Sequence, residues 1–444
     1  MRETVTIGPD RFAATMADVT RTGTRIVGVR IVGYAAGLGA SVVIARALGP
    51  AGRGLYAFPL ALLAVVMAVS TLGLEHANIY LAGKGVPVRD LWASGTRASV
   101  AIGATACIIV TSAYGLAGGD AFGGLPFLWI AVTVAQVPLL LQILYRSSAL
   151  QLDGRAAVGA TAAAMGAVVH AAVTLVLYAN AMLTPFRVLI LTAVANGTAW
   201  GWVTLAGHRL GLIGARSRWE DLRRALRFGV RAYGGLVFFF LLLRVDHLLV
   251  QRILGYRQLG LYALAVTLAE LLWLVSDPFA VSVIAHQVRA APGEERRLAF
   301  ATARLGITFA GVASVVAWVS APYAVRTLYG DGFEGAVTPF RLLLPGVVAL
   351  AAYRPLATAL LRQGRPMVAT AFGLAALVGN VVANAVLLPS IGLVGAALSS
   401  SITYLGLAIA YVAVLGSPEV TWRDLIPRWS DVRAVRDSLR APRG

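Results

Sequence analysis

Runs of about 20 apolar residues, bounded by Arg, Gly or Pro, recur from one end of this 444-residue chain to the other. A helix of that length spans the hydrocarbon core of a bilayer, roughly 30 Å thick, and satisfies its own backbone hydrogen bonds where no water can. Twelve such runs are expected to be helical, near 26–45, 55–80, 98–117, 125–145, 156–179, 186–206, 229–250, 260–286, 305–321, 338–360, 366–388 and 394–415. Only 13% of the residues are charged and the mean hydropathy is +0.77, which excludes a water-soluble multidomain enzyme. The segment up to Arg25 is polar, carries Arg2, Arg11, Arg21 and Arg25 and contains no apolar stretch, so a cleavable signal peptide is not expected. The single cysteine, Cys107, lies within an apolar run and leaves no disulfide framework, no CxxC and no thiolate metal site.

Orientation follows from the cations, because Lys and Arg accumulate on the cytoplasmic side of short loops. With Arg187, Arg231 and Arg341, at the ends of runs, counted with the adjoining loops, loops on the N-terminal side hold 28 of the 38 cations, those on the opposite side hold 7, and Arg30, Arg244 and Arg354 lie deeper within the runs. Both termini are therefore expected in the cytoplasm. The same distribution accounts for the net charge of +18 through topology and attraction to anionic lipids, without invoking nucleic acid. Two basic segments read as helices lying at the interface: 217–228, where Ser217 and Glu220 form a capping-box pattern and Trp219, Leu222 and Leu226 share a face, and 421–429.

An internal repeat sets the architecture. Arg21, Gly23, Arg25 and Gly28 recur further along as Arg227, Gly229, Arg231 and Gly234. At the same offset Arg46, Leu48, Gly49, Gly54, Leu55, Tyr56 and Ala57 recur as Arg252, Leu254, Gly255, Gly260, Leu261, Tyr262 and Ala263. Beyond these, Ala149, Leu150, Gly154, Arg155 and Val158 match Ala359, Leu360, Gly364, Arg365 and Val368, and Trp219, Asp221 and Leu222 match Trp422, Asp424 and Leu425. Collinear anchors of this kind imply two homologous halves of about six helices each. An even number per half makes the repeats parallel, related by an axis along the membrane normal, an arrangement in which substrate is expected between the halves. The expected organisation is an all-α membrane protein: a first six-helix bundle over 1–210, a cytoplasmic amphipathic linker over 211–228, a second bundle over 229–416 and a cytoplasmic tail over 417–444.

The segment from Arg46 to Ala57 resembles the polysaccharide transport family, the Wzx-like lipid-linked oligosaccharide flippases of the MOP (MATE-like) exporter superfamily. So do Arg244-Val-Asp246-His247, the stretch from Leu328 to Phe333, Gln363-Gly-Arg-Pro366 and the stretch from Ile391 to Ala396. The resemblance covers nearly the whole chain and rests on loop and packing signatures, which identify the superfamily better than the substrate. It implies a multi-pass protein of the cytoplasmic (inner) membrane that moves an undecaprenyl-pyrophosphate-linked oligosaccharide outward by alternating access, for cell-surface polysaccharide or lipopolysaccharide synthesis. Its implied partners are that lipid-linked oligosaccharide, anionic lipids and the polymerase or ligase machinery.

Charges inside hydrocarbon cost about 2.5–3.5 kcal/mol each on insertion scales, so each embedded one needs a partner, a wet cavity or a route to the interface. Five arginines are candidates for the pyrophosphate and sugar: Arg30, whose helical face carries Gly33, Tyr34, Gly37 and Ser41; Arg25 and its repeat mate Arg231 at the cytoplasmic mouths; Arg244, with Tyr233, Phe240, His247 and Gln251 near its face; and Arg354, between Tyr353 and Pro355. Each has a structural alternative, as membrane anchor or ion-pair partner. Four acids are candidates for coupling to Na⁺ or H⁺: Glu75, Asp246, Glu270 and Asp277. Asp246 points about 200° away from Arg244 and must contact another helix. Glu270 and Asp277 are two turns apart on one face, and Asp277 precedes the helix-loosening Pro278, which makes this pair the expected coupling site. His170 reads as a hydrogen-bonded packing residue. No phosphate loop, GxSxG, HExxH or His/Cys cluster is present, so no catalytic residue, metal or resident cofactor is expected. A MATE-type cation or drug antiporter shares the architecture and is the alternative reading. A polytopic polysaccharide polymerase or ligase is less favoured, since the first outer loop, Gly49 to Gly54, has no acid.

Overall fold

The computed structural model describes residues 9–213, 219–289, 294–416 and 421–426, with the side chains of 9–25, 219, 221, 228, 230–232, 273–289 and 294–295 outside the description. The described chain is helical with no strand: α1 Pro9–Ser70, α2 Leu74–Gly83, α3 Val88–Ala117, α4 Phe127–Val134, α5 Val137–Leu152, α6 Ala156–Ala179, α7 Pro185–Arg209, α8 Trp219–Ala232, α9 Gly234–Leu242, α10 Val245–Arg289, α11 Glu294–Tyr329, α12 Val337–Arg362, α13 Pro366–Ile391 and α14 Leu393–Leu415. Among the described residues nine stretches are long and apolar enough to cross a membrane. They coincide with ten of the twelve expected runs, because the first stretch, Ile26–Gly83, contains two of them. The other two expected runs fall on α9 and α10.

A straight helix as long as α1 would extend about 93 Å, three times the hydrocarbon thickness, so it must bend. It does so at Gly49, with φ 64° and ψ −178°, and α10 bends at the repeat-related Gly255, with φ 81° and ψ 178°. Only glycine occupies that backbone region without strain. The other repeat anchor behaves alike: Gly154 and Gly364 have φ 75° and 70°, each followed by an arginine at the start of the next helix.

The chain divides into two compact units, Met1–Ala47 with Gly73–Gly229, and Leu48–Leu72 with Val230–Gly444. In the first, α3 packs on α5 and α6 on α7. Trp92, Leu150, Ala162, Ala199 and Val203 form its buried cluster. The α8 segment follows 217–228 closely, with Leu222 and Ala225 buried and an Arg224–Glu220 pair on its exposed side. In the second unit, α12 packs on α11 and α14, and α9 on α13. There Tyr353 stacks on Phe239 with ring centres 4.0 Å apart and meets Tyr411 edge-on.

The segment 48–72 joins the second unit through a backbone crossing. A Cβ at Gly54 would fall 1.8 Å from the Tyr256 carbonyl oxygen, and one at Gly260 would fall 1.8 Å from that of Pro50. The crossing is reciprocal, because the two glycines are repeat mates. Alongside it, Arg53 donates to the Thr267 hydroxyl and lies over the Tyr329 ring, and Gly332 sits against Pro50. Gly54→Ala or Gly260→Ala must push the two backbones apart and should lower stability by about 3 kcal/mol. Gly37→Ala, which meets nothing within 4 Å, should leave it unchanged. Thermal unfolding of the purified proteins in detergent checks this; Gly54→Ala as stable as the parent would refute the close crossing.

Candidate functional site

The second unit holds a polar cluster in its interior, and local structure places it. The helix α9 ends at Leu242 and α10 starts afresh at Val245, so Leu243 and Arg244 form a break inside an apolar run. The first turn of α10 has backbone N–H groups without helical acceptors, and the Asp246 carboxylate takes one of them, from His247 at 2.8 Å. The same Oδ1 faces His247 Nδ1 at 2.9 Å. On its other oxygen, Oδ2 accepts from the Tyr262 hydroxyl at 2.6 Å and from Ser400 Oγ at 3.3 Å. The contacts continue from Asn380 Nδ2 to Ser400 Oγ at 3.4 Å and from Asn384 Nδ2 to Asn380 Oδ1 at 3.0 Å. Asp246 is 1% exposed and Asn380, Asn384, Ser399 and Ser400 are fully buried. Two oxygens are left over: Asn384 Oδ1 and Ser399 Oγ are buried with no hydrogen-bond partner. A carboxylate, two amide oxygens and several hydroxyls in one buried interior form an oxygen-rich environment of the kind hard cations select.

Asp246 thus contacts both limbs of α10, through His247 and Tyr262, and α14, through Ser400, whereas Arg244 stands in the break before α10. Arg244 pairs instead with Glu270, Nη1 to Oε1 at 2.6 Å, both half-buried. Glu270 is therefore engaged, and the side chain of Asp277, its expected companion, lies outside the described residues, as do those of Arg25 and Arg231. Arg30 is exposed on the first unit beside exposed Tyr34 and Gly37, while Gly33 packs against Ala164, a Cβ there coming within 3.2 Å. Arg354 is exposed on α12. Glu75 stands in the first turn of α2, just after the break made by Leu72 and Gly73, both at positive φ. One Glu75 oxygen faces His76 Nδ1 at 3.3 Å and the other is buried without a partner. His170 lies 3.5 Å from the Thr192 hydroxyl.

Sequence reasoning missed Tyr262, Asn380, Asn384, Ser399 and Ser400, because uncharged polar residues carry little weight against an apolar background. A signal was available: Asn380 and Asn384 are one turn apart within an apolar run, and Ser399, Ser400 and Ser401 are consecutive in another. Arg146, which the sequence assigns to a loop, is buried on α5, donating to Thr96 and Thr204 and lying over the Trp92 ring.

The Arg244–Glu270 pair yields a direct test. Arg244→Met or Glu270→Leu alone leaves a charge without its partner and should cost about 1–2 kcal/mol, given the pair's partial exposure. The double variant should recover part of that loss. Unfolding midpoints of the four proteins measure the coupling, and strictly additive losses would show that the two residues act independently.

The sequence profile of the family described as polysaccharide biosynthesis protein matches residues 43–338. No curated protein sequence matches the chain. Among solved structures, an inward-facing multidrug-resistance MATE family transporter of the MOP superfamily aligns over 95% of this chain and 99% of its own, with TM-score 0.68 and 13% identity. The lipid II flippase MurJ in an inward closed conformation aligns over 91% of this chain and 89% of its own, with TM-score 0.68 and 12% identity. The Vibrio cholerae MATE transporter VcmN aligns over 96% and 99%, with TM-score 0.60 and 13% identity. The motif loops and the family profile agree, and the chain belongs to the polysaccharide biosynthesis protein family, a multi-pass membrane protein built on the MOP-superfamily fold.

Proposed function

We propose that the protein is a flippase that moves a polyprenyl-pyrophosphate-linked oligosaccharide from the cytoplasmic to the outer leaflet of the cell membrane by alternating access, and that it performs no covalent chemistry. The observation that carries this reading is membership of a polysaccharide biosynthesis family on a fold shared with a lipid II flippase. Arg30, exposed on α1 with Tyr34 on the same face, suits a pyrophosphate followed by sugar, since guanidinium binds phosphate oxygens and aromatic rings stack on sugars. In liposomes carrying a fluorescent polyprenyl-pyrophosphate oligosaccharide on one leaflet, quenching from the other side should report protein-dependent movement. Arg30→Ala should slow it at least tenfold with membrane insertion intact. No movement across several glycan lipids, with efflux of small cationic dyes instead, would assign the protein to the antiporters.

The driving force enters, in this reading, at Asp246. Its cluster offers oxygens from a carboxylate, Asn384 and Ser399 to a Na⁺ ion or a proton, and the break before α10 lets that site respond to helix movement. If Na⁺ is the ion, replacing choline chloride by sodium chloride should raise the unfolding temperature of the protein, and Asp246→Asn should abolish the increment. If H⁺ is the ion, no increment appears and transport by the parent follows an imposed pH gradient that Asp246→Asn no longer senses. Transport by Asp246→Asn that responds to either gradient as the parent does would refute coupling at this residue.

A further inference from the structure

The first unit carries a polar site of its own, made of donors where the Asp246 cluster is made of acceptors. Where α6 begins and α7 ends, Arg155, Val158, Trp202, Leu205, Ala206, Arg209 and Leu210 line a half-open cavity of about 180 Å³. Three of these side chains present N–H groups that nothing in the described structure receives. The indole N–H of Trp202 is buried without an acceptor. Arg155 gives its Nε to Asp153 at 3.1 Å, which leaves both Nη groups unused. Arg209, in the last turn of α7, has no partner among the described residues. The remaining wall is apolar, and Leu205 is 44% exposed.

The buried Trp202 N–H is costly to leave without an acceptor, and the exposed guanidinium groups of Arg155 and Arg209 line the same cavity, so an anion there meets all three donors. The ligand must therefore bring acceptor oxygens and negative charge to the rim and apolar groups to the wall. Free phosphate meets the first requirement and leaves the wall against water; a phospholipid headgroup with its glycerol meets both. The volume is about six times a water's share of the liquid, enough for a phosphodiester but not for acyl chains, which would leave past Leu205. The position also fits, since both helices are membrane-crossing stretches and the cavity lies where they end, on the side of the Arg-rich loops. We infer that this cavity binds the headgroup of one anionic phospholipid, with Arg155 and Arg209 on the phosphate and the Trp202 N–H on a phosphate or ester oxygen.

Native mass spectrometry of the full chain in detergent, titrated with phosphatidylglycerol, phosphatidylcholine or inorganic phosphate, tests the inference. The parent should retain one phosphatidylglycerol more than the Arg155→Gln/Arg209→Gln double variant, whose affinity for that lipid should fall about tenfold, with phosphatidylcholine retention alike in both. Trp202→Phe keeps both charges and removes only the N–H, so it should weaken phosphatidylglycerol binding severalfold without altering the phosphatidylcholine profile. Equal retention of phosphatidylglycerol by parent, double variant and Trp202→Phe would overturn the site. Displacement of the lipid by millimolar inorganic phosphate would overturn the lipid assignment in favour of a free-phosphate site. Should the double variant lose its fold, seen as altered helical circular dichroism, Trp202→Phe decides the matter alone.

Discussion

A carboxylate that is 1% exposed among apolar helices exists only because the protein supplies every contact water would have made. For Asp246 these are a helix N-terminal N–H, an imidazole, a phenol and a serine hydroxyl, drawn from both limbs of α10 and from α14. The break after α9 positions the His247 N–H, shared between Asp246 and the Arg244 carbonyl; the bend at Gly255 turns the chain so that Tyr262 comes back towards Asp246. The cluster thereby ties three parts of the unit to one another. It also explains why Arg244 and Glu270 pair nearby: with Asp246 already satisfied, the arginine needs an acid of its own, and α10 provides one on its other limb.

The loop signatures that mark the family prove to be structural parts. Gly49 makes the bend, Gly54 makes the crossing with Gly260, and Arg53 reaches Tyr329, which belongs to a second signature, from Leu328 to Phe333. Within that second signature Tyr329 and Phe333 are buried and Asp331 holds Arg326 at 2.9 Å. Two motifs from different halves of the sequence are thus one interlocking junction. Motifs that build a junction recur wherever the junction is needed, whatever is transported, which is the physical reason they identify the fold and not the glycan.

Helix positions were legible in the sequence because hydrocarbon thickness dictates run length, and the repeat was legible because its glycines hold backbone conformations that other residues cannot. Pairing was not. Arg244 and Glu270 flank the bend at Gly255, and helical periodicity relates residues only along one straight helix. It places Glu270 with Asp277 on a common face and is blind to the limb opposite. Boundaries caused the other miss: Arg146 follows an apolar run and so reads as a loop residue, whereas α5 continues past it to Leu152 and buries it between Thr96 and Thr204.

The two halves offer an internal control on which residues the fold itself requires. At the repeat offset, Gly49 matches Gly255, Gly54 matches Gly260 and Tyr56 matches Tyr262, so the scaffold is present twice. The same offset sets Arg244 against Leu38, Asp246 against Ala40 and Glu270 against Ala64. Ala40 is 3% exposed, so the first half closes the equivalent position with a methyl group. The first half thus builds the equivalent positions from apolar residues alone. The presence of the ion set in one half alone sets Arg244, Asp246 and Glu270 apart from the scaffold that the two halves share.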